Sequence, residues 1–168
     1  MRKMTEANVK EAFAGESQAH MKYMIFADKA EGEGFKNVAR LFKAAAFAEQ
    51  VHATNHFALA LQGVKDTKGN LRAAIEGETY EIEEMYPAFI EVASLQEEAR
   101  AEETMTFALA TEKAHAKLYG KAEEAVARGK DAPMGKIQVC SVCGYTLEGE
   151  APAECPVCGS PKEKFRAY

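Results

Sequence analysis

The chain reads as an all-α four-helix bundle followed by a small, metal-stapled C-terminal domain, and three observations carry that reading. From Thr5 to about Arg128 apolar residues recur at three- and four-residue steps in a background rich in Ala, Glu, Lys, Leu and Met, the period of buried helix faces. That stretch repeats itself at an offset of 62 to 63 residues. All four cysteines lie between Cys140 and Cys158, so the first 139 residues have no thiol for a disulfide framework.

At 168 residues the chain can bury one ordinary core, and any appendage needs its own staple. Breakers divide the helical region: Glu31-Gly32-Glu33-Gly34 ends a first helix, Gly63 to Gly69 separates a second from a third, and the polar stretch near Gln96 separates a third from a fourth. Helices are expected over roughly 5–30, 35–62, 70–95 and 98–128, with Pro87 kinking the third. Gly129 to Gly135 reads as a linker, giving a bundle over 1–131, a connection over 132–137 and a cysteine domain over 138–168. A formal charge of -5 without a basic cluster argues against a nucleic-acid partner. The N-terminus has no apolar run of signal-peptide length, and no stretch approaches the roughly 18 apolar residues of a membrane span. The expectation is a soluble cytoplasmic protein without a membrane partner.

The repeat is chemical as well as structural. Ala12-Phe13-Ala14-Gly15-Glu16-Ser17 recurs as Ala74-Ile75-Glu76-Gly77-Glu78-Thr79, and Glu49-x-x-His52-Ala53 recurs as Glu112-x-x-His115-Ala116. Residues three apart share a helix face, so each Glu and His can point together into the bundle. One Glu-x-x-His on a Glu-rich helix is a weak sign. The doubled motif with matching upstream glutamates is the ligand set of the carboxylate di-iron and di-manganese bundles. His20 and His56 stand outside the repeated motif and are expected to be packing or supporting residues.

In the tail, Cys140-x-x-Cys143-Gly-Tyr and Cys155-Pro-x-Cys158-Gly form two knuckles with eleven residues between them, the spacing of a tetrahedral four-thiolate site. So short a segment cannot bury a core of its own, and metal binding should supply most of its folding energy. Spacing leaves zinc and iron both open. Zinc would make a structural ribbon, iron a one-electron carrier.

These stretches resemble the rubrerythrins across essentially the whole chain: AFAGESQAHMKY from Ala12 to Tyr23, Glu49 to His52, GETYEIEEMYP from Gly77 to Pro87, and Glu112 to His115. CSVCGY and CPVCG resemble rubredoxin, with a shorter intervening loop. The resemblance implies an all-α ferritin-like four-helix bundle with a small C-terminal rubredoxin-like metal domain. It implies two iron ions in a carboxylate-bridged site, with Glu49 and Glu112 bridging, Glu16 and Glu78 terminal and His115 on one iron. A further iron would be held by Cys140, Cys143, Cys155 and Cys158. The other iron of the pair would exchange His52 for Glu81 with oxidation state, and Tyr23 and Tyr86 would hydrogen-bond the carboxylates and orient them.

The sequence supplies its own reason for that exchange. Glu81 has no counterpart in the first half, where Ala19 stands. Four carboxylates balance two ferrous ions, whereas two ferric ions favour a fifth anion in a site of low dielectric.

The resemblance implies a peroxidase that reduces hydrogen peroxide to water in defence against oxidative stress. Electrons would come from an NADH- or NADPH-dependent reductase, with or without separate rubredoxin, and pass through the cysteine-bound iron. The alternative is iron oxidation and storage of the ferritin type, which needs no appended electron carrier and leaves Glu81 unexplained. A homodimer with swapped helix pairs is also expected. In the ferritin-like arrangement helices two and three run the same way and need a long crossover. From about residue 62 to residue 70 an extended chain reaches roughly 26 Å. The axial distance to be covered, reckoned from Glu49 and Glu78, is about 31 Å.

Overall fold

A computed structural model describes all 168 residues, 1 to 168, in two units, Met1–Lys65 and Asp66–Tyr168. The first is a pair of helices, α1 (Lys3–Gly32) and α2 (Lys36–Thr54). Between them Phe35 N–H reaches back to the Ala30 carbonyl at 2.8 Å and Gly34 N–H to that of Glu31 at 3.0 Å. This cap needs a left-handed residue, and Gly34 at φ 87° supplies it. The helices approach closely because small residues line their contact: Ala27, Ala30, Ala39, Ala46 and Ala53 are buried. His20 donates from Nδ1 to the Ala46 carbonyl at 2.8 Å, a packing role as expected. Lys43 pairs with Glu31 at 2.5 Å.

The expected second helix continues past Thr54 as a wider π-helical segment, Asn55–Ala60. There Phe57 stacks on Phe13 with ring centroids 5.2 Å apart. Gly63 is required beside it, because a Cβ would lie 2.5 Å from the Phe57 ring.

In the second unit α3 (Thr67–Tyr80) begins at Asp66, whose carboxylate accepts Gly69 N–H at 2.8 Å. The expected third helix is broken into three pieces: α3, a π-helical segment Glu81–Met85 and α4 (Tyr86–Leu95). Pro87, at the start of α4, explains the break. Its ring crowds the carbonyl four residues back and it has no N–H to offer, so the chain rewinds ahead of it. The long α5 (Ala99–Ala127) follows, tied to α3 by Arg72 Nε and Glu123 at 2.7 Å.

The tail forms a three-stranded antiparallel sheet of β1 (Ile137–Cys140), β2 (Thr146–Glu148) and β3 (Phe165–Ala167), in the order β2-β1-β3. Val139 faces Thr146 on one side and Arg166 on the other. The sheet is held to α5 by Lys121, which pairs with Glu148 at 2.5 Å.

Burial is unusual for a bundle. On the helices every buried hydrophobic residue is an alanine, while Ile25, Leu41, Phe47, Phe89 and Leu95 stay exposed. No helix is long and apolar enough to cross a membrane.

Candidate metal centres

Each unit carries one half of the repeated motif. In the first, α1 supplies Glu16 and α2 supplies Glu49 and His52, with one donor atom from each lying within 4.8 Å of the others. His52 Nδ1 stands 3.1 Å from Glu49 Oε2 and 3.9 Å from Glu16 Oε1. In the second, Glu78 of α3 meets Glu112 and His115 of α5 within the same limit. His115 Nδ1 lies 2.7 Å from Glu112 Oε2 and 3.6 Å from Glu78 Oε1.

The electrostatics of both clusters call for a cation. A shared proton with Glu49 raises the Glu16 carboxyl, with burial and the Glu49 charge adding. The same contact, together with His52, lowers Glu49. Burial, then the adjacent Glu112, push Glu78 up to about 7. Carboxylates so placed repel one another when ionised, and a divalent ion among them replaces the missing protons. Oxygen and imidazole donors suit iron.

Glu81, the first residue of the π-helical segment, is outside the triplet of converging donors. Burial, then the charge of Glu112, raise its carboxyl, so it borders the second half-site. Burial also raises the phenol of Tyr86, with Glu81, Glu112 and Glu78 adding. Tyr23 packs its ring against Phe26 and Phe42 at 6.3 and 6.1 Å.

In the tail, Cys140 Sγ lies 3.7 Å from Cys158 Sγ, and Cys143 Sγ lies 3.6 Å from Cys155 Sγ. These distances are too long for disulfides. They match the edge of about 3.8 Å in a tetrahedron of thiolates bound at about 2.3 Å. Gly144 and Gly159 follow the knuckles at φ 82° and 71°. Their N–H groups close back on the Cys140 and Cys155 carbonyls at 2.9 Å. Burial holds the Cys143 thiol well above its ordinary value. At Cys158 burial acts the same way but is outweighed by the hydroxyl and N–H of Ser160, which bring the thiol down to about 6.

Two residues near the second half-site escape sequence reasoning. Tyr119 sits one turn beyond His115, with ring centroids 6.2 Å apart. Burial, Glu78 and Glu112 raise its phenol. Helical spacing could have found it. Thr146 comes from the tail, with its hydroxyl 3.1 Å from His115 Nε2, and no spacing announces it.

A family profile described as rubrerythrin matches residues 7–123, and one described as the rubrerythrin rubredoxin-like domain matches 138–166. Rubrerythrin-2 of Clostridium acetobutylicum is 41% identical to this chain, covering 98% of it and 97% of the relative. Nigerythrin of Nitratidesulfovibrio vulgaris is 37% identical, covering 98% and 86%. A solved structure of fully reduced, all-ferrous nigerythrin matches with a TM-score of 0.55 at 36% identity, covering 98% of this chain and 86% of that one. This chain belongs to the rubrerythrin family: its helices have the ferritin-like four-helix fold class and a di-iron site, and its tail is a rubredoxin-like domain holding a further iron.

Proposed function

We propose that this protein is a cytoplasmic peroxidase that reduces hydrogen peroxide to water, drawing electrons from an NAD(P)H-dependent reductase, with or without separate rubredoxin, through its four-cysteine iron. The observation that carries the reading is the presence, in one chain, of two carboxylate–histidine half-sites and a four-thiolate cluster seated on α5. A protein that only stores iron has no use for the second. In this reading residues 1–131 bind the iron pair, 132–137 connect, and 138–168 carry electrons.

Bound at the half-sites, two iron ions supply two electrons and paired Lewis acids for the two peroxide oxygens. The chain's residues do the rest. Glu16, Glu49, Glu78 and Glu112 would hold the ions, with Glu49 and Glu112 shared between them, and His115 would fix one side. His52 and Glu81 would alternate on the other side, the neutral imidazole suiting the lower total charge and the carboxylate the higher. Tyr23 and Tyr86 orient the carboxylates. Two protons and two electrons turn each peroxide into two waters.

The pair needs both halves of the repeat, and chain reach supports taking them from two copies. Ordered helix runs to Ala60 and resumes at Thr67, a gap that spans about 23 Å when fully extended. From Glu49 down to Ala60 and from Thr67 up to Glu78 the axial distance sums to about 33 Å. The exposed Ile25, Leu41 and Phe47 are the kind of surface a second copy covers. A swapped homodimer is therefore expected in sedimentation of the iron-loaded protein; a monomer retaining the iron pair would contradict it.

The test of function is anaerobic reduction followed by one hydrogen peroxide per iron pair, with visible and Mössbauer spectra following both centres. Rapid oxidation with two electrons consumed per peroxide, and recovery on adding a donor, is the expected outcome. Inertness to peroxide, with oxidation by dioxygen and growth of a mineral core, would establish iron storage instead.

A further inference from the structure

We propose that Thr146 is a positioning residue that fixes His115 and joins the thiolate iron to the iron pair within one chain. The inference rests on the rubredoxin-like domain passing electrons to the pair, and not on which oxidant the pair then meets.

Thr146 is buried, with 5% of its surface exposed, and its hydroxyl has one proton. That proton is donated to the Gly144 carbonyl at 2.9 Å. Its oxygen can then only accept from His115, so Nε2 at 3.1 Å must carry the N–H. Once an ion replaces the proton that Nδ1 and Glu112 share at 2.7 Å, the neutral ring turns its Nδ1 lone pair to that ion, between Glu112 and Glu78. A tail residue thus sets both the tautomer and the rotation of a di-iron ligand. Imidazole ligands generally need such a partner on the far nitrogen.

The partner is not an isolated side chain. Gly144 directly follows Cys143, and its N–H closes the knuckle on the Cys140 carbonyl at 2.9 Å. A Cβ on Gly144 would come within 3.8 Å of Thr111 Oγ1, one turn before His115 on α5. The route runs from Cys143 Sγ through the Cys143–Gly144 peptide to the Gly144 carbonyl, across the Thr146 hydroxyl, and into the His115 ring. It contains two hydrogen bonds and no gap. Each passage moves one electron: the cysteine-bound iron goes from ferrous to ferric and one iron of the pair from ferric to ferrous. No bond along the route is made or broken, and an external one-electron donor restores the first iron.

Thr146→Val keeps the shape and removes both hydrogen bonds, and Thr146→Ser keeps the hydroxyl. Two readouts on the full-length protein test the proposal. In the zinc-loaded, diamagnetic protein, nitrogen-15 NMR of His115 should show a hydrogen-bonded Nε2–H that is protected from solvent exchange. Protection should fall at least about tenfold in Thr146→Val and return in Thr146→Ser. In the iron-loaded protein, rapid one-electron reduction of the cysteine-bound iron should be followed by transfer to the oxidised pair. That transfer should be about 10- to 100-fold slower in Thr146→Val, with the potential of the cysteine-bound iron unchanged, and restored in Thr146→Ser. An unchanged transfer rate in Thr146→Val, or a Thr146→Ser protein as slow as the valine variant, overturns the proposal. Wild-type protein that transfers electrons internally but ignores peroxide would overturn the peroxidase reading and leave this one standing.

Discussion

The two half-sites use the same three residue types at the same spacing, yet the protein holds them differently. His52 is 54% exposed and its contacts, to Glu49 and Glu16, are through Nδ1. His115 is 30% exposed and gripped at both nitrogens, by Glu112 and by Thr146. Glu16 is 31% exposed where its counterpart Glu78 is 15%. A repeat that duplicates ligands need not duplicate their support. The anchored histidine is the one beside the rubredoxin-like tail, and the loosely held one is the one assigned to yield its iron to Glu81.

The sharpest way to break this comparison is to remove each histidine in turn. His115→Ala should weaken iron binding by more than about 100-fold, because a fixed ligand is lost without a substitute. His52→Ala should cost only about tenfold, since Glu81 can take the vacant position. Anaerobic ferrous titration measures both, and equal losses would mean the half-sites are equivalent.

A smaller effect separates the glutamates. With Glu78 held at about 7 against an ordinary 4.5, the folded metal-free protein keeps a proton that the unfolded chain has already released. Its stability should therefore fall as pH rises through that window and level off above it. Glu78→Gln should flatten the slope, while Glu16→Gln, at a more exposed site, should change it less. Calorimetry of metal-free protein across the window decides the matter, and stability rising with pH would contradict the burial of Glu78.

The smallest effect lies in the helix ends. The first half closes α1 with Gly34 at φ 87°. The second closes α4 with Glu97 at φ 59°, with Glu98 N–H reaching the Ala93 carbonyl at 2.9 Å. The same cap is strained in one copy and relaxed in the other. Gly34→Ala should destabilise by about 1 kcal/mol and Glu97→Gly should stabilise by a similar amount. Thermal unfolding of the two variants would show the opposite signs.

Much of this was legible in the sequence because ligand chemistry forces spacing. Glu-x-x-His places two side chains on one helix face wherever the helix begins, and the cysteine knuckles announce their own geometry. The π-helical segments were not legible, since one extra residue per turn leaves the apolar pattern within its ordinary scatter. Pro87 marked a disturbance near Glu81 without saying that the helix would rewind through it. Burial was misleading in another way: Ile25, Leu41 and Phe47 have the pattern of core residues and lie exposed. Thr146 was invisible because its partner lies 31 residues away in another domain, and only folding brings them together.

The unequal half-sites are tested most directly by crystal structures of the iron-loaded protein in its fully reduced and fully oxidised states. The expected result is His52 on iron in the reduced form, Glu81 in its place in the oxidised form, and His115 bound and hydrogen-bonded to Thr146 in both. Glu81 bound in both states, or His115 moving while His52 stays, would contradict it.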